Sequence, residues 1–159
     1  MKKLDKTNVM RILDGQKIEY KSILYECEEA PSGVELAEIL GKDPKRVFKT
    51  LVTVSGTKKH YIFVIPADAQ LNLKRAAKVV GEKSIEMIKS KELLPLTGYI
   101  HGGCSPIGMK KFFPTTVHCT AADYETITFS AGRIGAQVEM SLEELKKVIE
   151  FTLADVADV

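Results

Sequence analysis

The chain lacks most of the features that would name a function class at sight. Its longest uninterrupted apolar run, Tyr61 to Pro66, falls far short of the roughly 20 residues that a membrane-spanning helix needs. Met1-Lys2-Lys3 is followed by no apolar segment of signal-peptide length. Cysteine is scarce. Cys27, Cys104 and Cys119 are an odd number, widely spaced, with no CxxC pair, which argues against a disulfide framework. Reduced thiols in a cytoplasmic protein are the expectation. Charge of one sign is missing too: 23 basic and 21 acidic side chains leave a net charge of +2. Such a balance excludes a broad electrostatic coat for nucleic acid, though not an RNA touched locally. There is no Walker A loop, no GxGxxG, no paired-carboxylate signature for hydrolysis, no internal repeat and no low-complexity linker.

What is present describes an ordinary folded chain. The 159 residues correspond to one domain, 1–159. A chain of this length buries about two-thirds of its unfolded surface, so no disulfide or metal is needed to hold it. A 45% hydrophobic and 28% charged composition excludes disorder.

Periodicity predicts a short amphipathic helix over Thr7 to Asp14 and a strand over Ile18 to Tyr25. Ser32-Gly33-Val34-Glu35 is a capping-box pattern opening a helix that stops at Gly41. Asp43-Pro44 predicts a further short helical turn. Val47 to Val54 and His60 to Ile65 read as a β-hairpin, its second strand apolar enough to be covered on both faces. Asn72 caps a helix ending at Gly81. A weak strand at Ser84 to Met87 and a short helix at Lys91 to Leu94 follow, then strands at Thr115 to Cys119, Glu125 to Ser130 and Ala136 to Met140. Ser141 opens a last helix carrying Leu145, Val148, Ile149 and Leu153. Strands and helices mix without strict alternation, which predicts an α+β fold with a mixed sheet and flanking helices.

Few residues stand out chemically. Gly98 to Gly108 holds four glycines within eleven residues, plus Pro106. Without Cβ atoms such a loop brings backbone N–H groups close to a carboxylate, a phosphate or a developing oxyanion. It also reads as a plain glycine-rich turn. Lys49 sits inside the apolar strand Val47-Phe48-Lys49-Thr50-Leu51-Val52. It either faces solvent or aims a cation into a cleft, with Thr50 on the opposite face. Cys104 and His101 suggest a nucleophile–base pair, but nothing marks an orienting third group. A metal site from His101, Cys104, His118 and Cys119 does not match zinc spacing. Ser130 to Gly135 is a second small-residue turn, offering the Ser130 hydroxyl and the Arg133 guanidinium, or simply a hairpin loop. Lys2, Lys3, Lys6, Lys74, Arg75, Lys110 and Lys111 could meet RNA phosphates, although scattered lysines more often serve solubility.

Taken in order, Phe48-Lys49-Thr50-Leu51, Gln70-Leu71-Asn72-Leu73-Lys74, Thr97-Gly98-Tyr99 and Gly102-Gly103-Cys104-Ser105-Pro106-Ile107-Gly108 resemble the YbaK-type Cys-tRNA(Pro) deacylases. These are the free-standing relatives of the editing domain inserted in bacterial prolyl-tRNA synthetases. The resemblance covers nearly the whole chain. It implies the YbaK/prolyl-tRNA-synthetase-associated fold, with a mixed, partly barrel-like sheet. It implies hydrolytic clearing of cysteine mischarged on tRNA(Pro), acting on the aminoacylated 3′ end, with prolyl-tRNA synthetase as partner and no cofactor, metal or membrane. The family's functional lysine falls on Lys49 and its glycine–proline loop on Gly102, Gly103, Ser105, Pro106 and Gly108. An early tyrosine falls on Tyr25, and the small-residue turn on Ser130, Gly132 and Arg133. One position departs: where relatives often carry Asp, this chain has Gln137, and an amide cannot hold an ammonium by charge unless a group such as Glu139 takes over.

The implied mechanism has the substrate's own thiol attack its ester carbonyl. Catalysis then asks the protein only for orientation and for charge stabilisation by Lys49 and the amides around Gly102 and Gly103. Two other readings compete: a deacylase for another misacylated tRNA such as Ala-tRNA(Pro), and a non-catalytic module that binds a synthetase or tRNA.

Overall fold

Side chains that accept backbone N–H groups set most of the helix starts. The computed structural model describes residues 6–27 and 29–159. In it, α1 (Asn8–Gly15) starts from Thr7, whose Oγ1 accepts from the Met10 amide at 3.2 Å. Helix α2 (Gly33–Leu40) starts from Ser32, accepting from Glu35 at 3.2 Å. Helix α3 (Leu73–Val80) starts from Asn72, accepting from Arg75 at 2.9 Å. Helix α4 (Ser90–Thr97) has no side-chain cap. Helix α5 (Leu142–Lys146) starts from Ser141, accepting from Glu144 at 3.2 Å. Each cap contributes about 1 kcal/mol. Gly41 and Gly81 end α2 and α3 in the left-handed conformation.

The strands are β1 (Lys21–Leu24), β2 (Phe48–Ser55), β3 (His60–Pro66), β4 (Gln70–Leu71), β5 (Ile85–Met87), β6 (Thr115–His118), β7 (Ile127–Arg133), β8 (Ala136–Met140), β9 (Thr152–Ala154) and β10 (Ala157–Asp158). They form a five-stranded sheet, order β5-β2-β3-β6-β9, a three-stranded sheet, order β1-β8-β7, and the pair β10-β4. β2 and β3 are an antiparallel hairpin, whereas β6 runs parallel to both β3 and β9. The large sheet is therefore mixed. Neither larger sheet closes on itself. They touch along one seam, where Val47 bridges Thr128 in parallel and the Thr128 amide donates to Arg46 O at 3.1 Å. The barrel-like character is that of two sheets joined at one edge.

The main core lies between them. Phe48, Val52, Ile62, Val64 and Val117 face Ile127, Phe129, Val138 and Met140, and α1 adds Val9 and Leu13. Phe63 and Ile65 point the other way, onto Ala76 and Ala77 of α3. β3 is thus covered on both faces, as its composition predicts. Each such side chain removed from water contributes about 1.5–3 kcal/mol. The alternation matters for function. Because Phe129, Ala136 and Val138 point into the core, Ser130 and Gln137, paired across β7 and β8, point to the other face, together with Thr128 and Glu139.

Three local expectations are corrected. The last helix stops at Lys146 instead of running to Leu153, because residues 152–154 are drawn into parallel pairing with β6. Val148, Ile149 and Phe151 still pack on the core, without helical backbone. Asp43-Pro44 makes a hydrogen-bonded turn, Arg46 N to Asp43 O at 2.9 Å, and no helix. The first strand is confined to residues 21–24, the length over which β8 offers partners. No helix among the described residues is long and apolar enough to cross a membrane.

Candidate functional site

Lys49 lies on β2 opposite Ile65. Its half-buried ammonium donates to the carbonyl oxygen of Ala67 at 3.3 Å. Burial holds its pKa below the ordinary lysine value, against a smaller opposing pull from Asp68. Asp68 is itself paired with Lys45 at 3.1 Å. Among the described residues Lys49 makes no ion pair of its own. A desolvated ammonium without a carboxylate is an available charge and a readier proton donor than an exposed lysine. Thr50 turns to the opposite face, as the pleat requires, and its Oγ1 is buried without a partner among the described residues.

The glycine loop is braced from within. Tyr99 donates its hydroxyl to Ile107 O, and both Gly108 and Gly132 pack on the Tyr99 side chain so closely that a Cβ would come within 2.9 and 3.1 Å of it. Ser105 is buried, its Oγ accepting from the Ile107 amide at 3.3 Å, and Pro106 is buried beside it. Thr97 O accepts from Lys110 N at 3.0 Å and closes the base of the loop. The Gly103 N–H donates to Ile100 O at 3.0 Å. This corrects the expectation that the Gly103 amide is free for a ligand. Its contribution is steric, since a Cβ there would meet Arg133 Cα at 3.0 Å. Gly102 is exposed, and its N–H has no backbone acceptor among the described residues.

Two close approaches tie this loop to Lys49. Gly102, at φ +86°, leaves no room for a side chain against Ala30. Gly33 sits so tightly on Ala67 that a Cβ would lie 2.7 Å from the carbonyl oxygen that Lys49 also contacts. Ala30 and Gly33 are three residues apart, about 10 Å of chain at most. One short segment therefore touches the glycine loop at one end and the Lys49 neighbourhood at the other.

A second group gathers beside the loop. The Tyr25 amide donates to Gly135 O at 2.9 Å, extending the β1–β8 pairing. Tyr25, Glu26, Cys27, Arg133, Ile134 and Gly135 line a cavity of about 510 Å³. Ser130 Oγ accepts from the Gly132 amide at 3.1 Å. Gln137, 1% exposed, keeps its Oε1 buried without a hydrogen-bond donor among the described residues. Glu139 is not available to stand in for it. Its carboxylate accepts from Thr126 at 2.6 Å and Lys42 at 3.0 Å, and the Thr126 bond above all holds its pKa low.

The remaining candidates separate. Cys104 is buried, and burial pushes its thiol up to about 12. His101 is exposed on the same loop. His118 is buried on β6, where its Nδ1 accepts from Val156 N at 3.2 Å, and Cys119 is exposed. Among the described residues no group of three or more His, Cys, Asp or Glu side chains is placed to hold a metal ion.

Residues 27–148 match the aminoacyl-tRNA editing domain family. The chain belongs to it. As an editing domain it is an aminoacyl-tRNA deacylase, and its substrate is a misacylated tRNA. One relative, named "Putative Cys-tRNA(Pro)/Cys-tRNA(Cys) deacylase EbsC", from Enterococcus faecalis, is 42% identical over 152 residues, 95% of this chain and 93% of the relative. A proline–tRNA ligase of Thermodesulfovibrio yellowstonii is 31% identical over 98 residues, 62% of this chain but 16% of the ligase. Among solved structures, the hypothetical protein APE2540 superposes with a TM-score of 0.86 at 23% identity, covering 94% of this chain and 99% of that one. A structure titled as a putative trans-editing enzyme for prolyl tRNA synthetase superposes at 0.80 and 20%, covering 98% and 100%. These last two establish the fold.

Sequence reasoning missed the 30–33 segment, Ala67 and the Tyr99 post. The available signal was Gly33, a glycine at the first position of a helix that Ser32 already caps, where nothing in the helix itself calls for one.

Proposed function

We propose that the protein clears cysteine from Cys-tRNA(Pro) in trans, using the substrate's own thiol. The observation that carries this is the partly desolvated Lys49 ammonium, reaching a backbone carbonyl and joined to the Gly102 loop by the 30–33 segment. The 42% identical relative, by its name, supports the choice of amino acid and tRNA.

The substrate thiolate attacks the ester carbonyl carbon and an oxyanion develops. The carbon–oxygen bond to the ribose then breaks, and the ribose oxygen takes up the proton the thiol gave away. The products are free tRNA and a cyclic cysteine thiolactone, which water opens. Lys49 supplies charge to the oxyanion and passes a proton to the leaving oxygen, recovering the one the thiol released. The Gly102 N–H adds a fixed dipole. Gln137 Oε1 accepts from the substrate amine, neutral or charged. Tyr25, Ser130, Gly132 and Arg133 line the binding region, the Thr50 backbone borders it, and Ser105, Pro106 and Gly108 shape the loop beside it. No protein nucleophile is required, which accords with a Cys104 thiol that burial keeps protonated. Partial matches to proline–tRNA ligases support prolyl-tRNA synthetase as a partner.

Hydrolysis of Cys-tRNA(Pro) and of Ala-tRNA(Pro), by wild type and by Lys49→Ala, tests the proposal. Wild type should release cysteine and leave alanine, which has no thiol, on the tRNA. Equal hydrolysis of both would exclude thiol assistance.

A further inference from the structure

The turn that precedes Lys49 is bonded to the residue that receives its ammonium. The Ala67 N–H donates to Val47 O at 2.7 Å and to Pro44 O at 3.2 Å, while the Ala67 carbonyl accepts from Lys49 at 3.3 Å. The Arg46 amide donates to Asp43 O at 2.9 Å and closes the turn. Asp43 Oδ1 accepts from the Lys45 amide, also at 2.9 Å. Residues 43–49 and 67–68 therefore form one small backbone-bonded unit. Within it the charge of Asp68 reaches two lysines, Lys45 and Lys49.

Asp68 is committed to one of them. Its Oδ2 lies 3.1 Å from Lys45 Nζ, and no ion pair joins it to Lys49. The bond to Asp68 is the largest cause of a raised Lys45 pKa. Its pull on Lys49 is weaker and is outweighed there by burial. The other charged groups on the elements packed here are Asp43 and Arg46 on the turn and Glu35 and Glu38 on α2. Arg46 lies over the Tyr124 ring, 5.0 Å from its centroid. Among the described residues Asp68 is the one charge that acts on Lys49. The Lys45 side of the pair is exposed, and exposed pairs contribute little to stability. What this one fixes is the place of a carboxylate.

We propose that Lys45 is a positioning residue for the deacylation: by holding the Asp68 carboxylate it keeps that acid off the Lys49 ammonium. The role rests on the deacylase reading. Lys49 gives a proton to the leaving oxygen and recovers one from the thiol in each turnover. An ammonium paired with a carboxylate offers less charge to the oxyanion and holds its proton more tightly. Asp68 follows directly on the carbonyl that Lys49 already contacts, so without Lys45 it turns to Lys49.

The test is a pH titration of the full chain with its lysines labelled with carbon-13 at Cε, the Lys49 signal being assigned by its loss in Lys49→Arg. In wild type the Lys49 midpoint should lie below those of the exposed lysines. Lys45→Met should raise it by about one pH unit, and Lys45→Arg, which keeps the pair, should leave it in place. Asp68→Asn should lower it, and Lys45→Met added to Asp68→Asn should no longer move it. Single-turnover hydrolysis of Cys-tRNA(Pro) at neutral pH should follow the same order. Lys45→Met should be about tenfold slower, Lys45→Arg like wild type, and the double variant within about twofold of Asp68→Asn. An unmoved Lys49 midpoint in Lys45→Met would overturn the proposal. So would a loss of rate that Asp68→Asn does not relieve, since it would mark Lys45 as a tRNA contact or a support of the fold. The titration needs no substrate. Midpoints that move as expected in a protein inert toward Cys-tRNA(Pro) would sink the deacylase reading and leave the control of Lys49 by Lys45 and Asp68 standing.

Discussion

The Lys49 ammonium donates to the carbonyl oxygen of Ala67 at 3.3 Å, and that same oxygen is the atom against which Gly33 is packed. The cation is thus held at the start of α2 by backbone, with no carboxylate paired to it among the described residues. Lys49→Ala should lower the deacylation rate by roughly 10²–10³, the cost of removing one oxyanion donor. Lys49→Arg keeps charge but not geometry or a titratable proton, and should recover little. Single-turnover kinetics on Cys-tRNA(Pro) report this directly. Near-normal rates in Lys49→Ala would end the assignment.

Cys104→Ser should retain deacylase activity. The residue is 9% exposed and burial pushes its thiol up to about 12, so little thiolate exists near neutrality. A dead but folded variant, judged by circular dichroism, would restore a protein nucleophile.

Gly102→Ala should be damaging twice over. It strains a backbone at φ +86° by about 1–2 kcal/mol, and its methyl collides with Ala30. Adding Ala30→Gly removes the collision but not the strain. Partial recovery of activity in the double variant, measured beside melting temperature, is the expected pattern. Additive losses would show that the two residues do not meet.

The role proposed for Gln137 sets stability against function. Its buried, unpartnered Oε1 should cost the free protein about 1–3 kcal/mol. Gln137→Met fills similar space without the orphan oxygen. It should raise the melting temperature and reduce kcat/KM for Cys-tRNA(Pro). A variant that gains neither stability nor loses activity would remove Gln137 from the site.

His118 predicts an acid limit. Burial lowers its pKa below 6.5, and its Nδ1 accepts the Val156 N–H only while unprotonated. A histidine with a depressed folded pKa contributes stability above the unfolded value, near pH 6.5, and loses it as pH falls through the folded value. Melting temperature should therefore fall as pH drops below about 6.5, and His118→Asn should flatten that slope while starting lower. Glu139, held low chiefly by Thr126, adds a loss of the same sign at more acidic pH.

Helix starts were legible in the sequence because caps are local. Ser32, Asn72 and Ser141 each sit one residue before their helix, and each accepts the amide three residues on. The end of the last helix was not legible. Leu145, Val148 and Ile149 keep helical spacing, but the chain beyond Lys146 is claimed by β6, a partner that no local window contains. The site divides the same way. Lys49 and the glycine loop are oddities of their own short segments and can be seen there. That Gly33 and Ala30 join them, and that the Gly103 amide is already taken, depends on contacts between segments far apart in sequence.

The pairing of β1 with β8 also governs when the protein can work. Leu24 faces Ala136, and Lys21 faces Glu139, more than 100 residues away along the chain. Closing so long a loop costs entropy before any contact repays it, while the β2–β3 hairpin needs only its own turn. During synthesis the hairpin and Lys49 can be in place early, but Tyr25 must wait for Gly135 and Arg133 to be made. A nascent or truncated chain would carry the cation while the β1–β8 edge, where the Tyr25 amide meets Gly135 O, is still unbuilt.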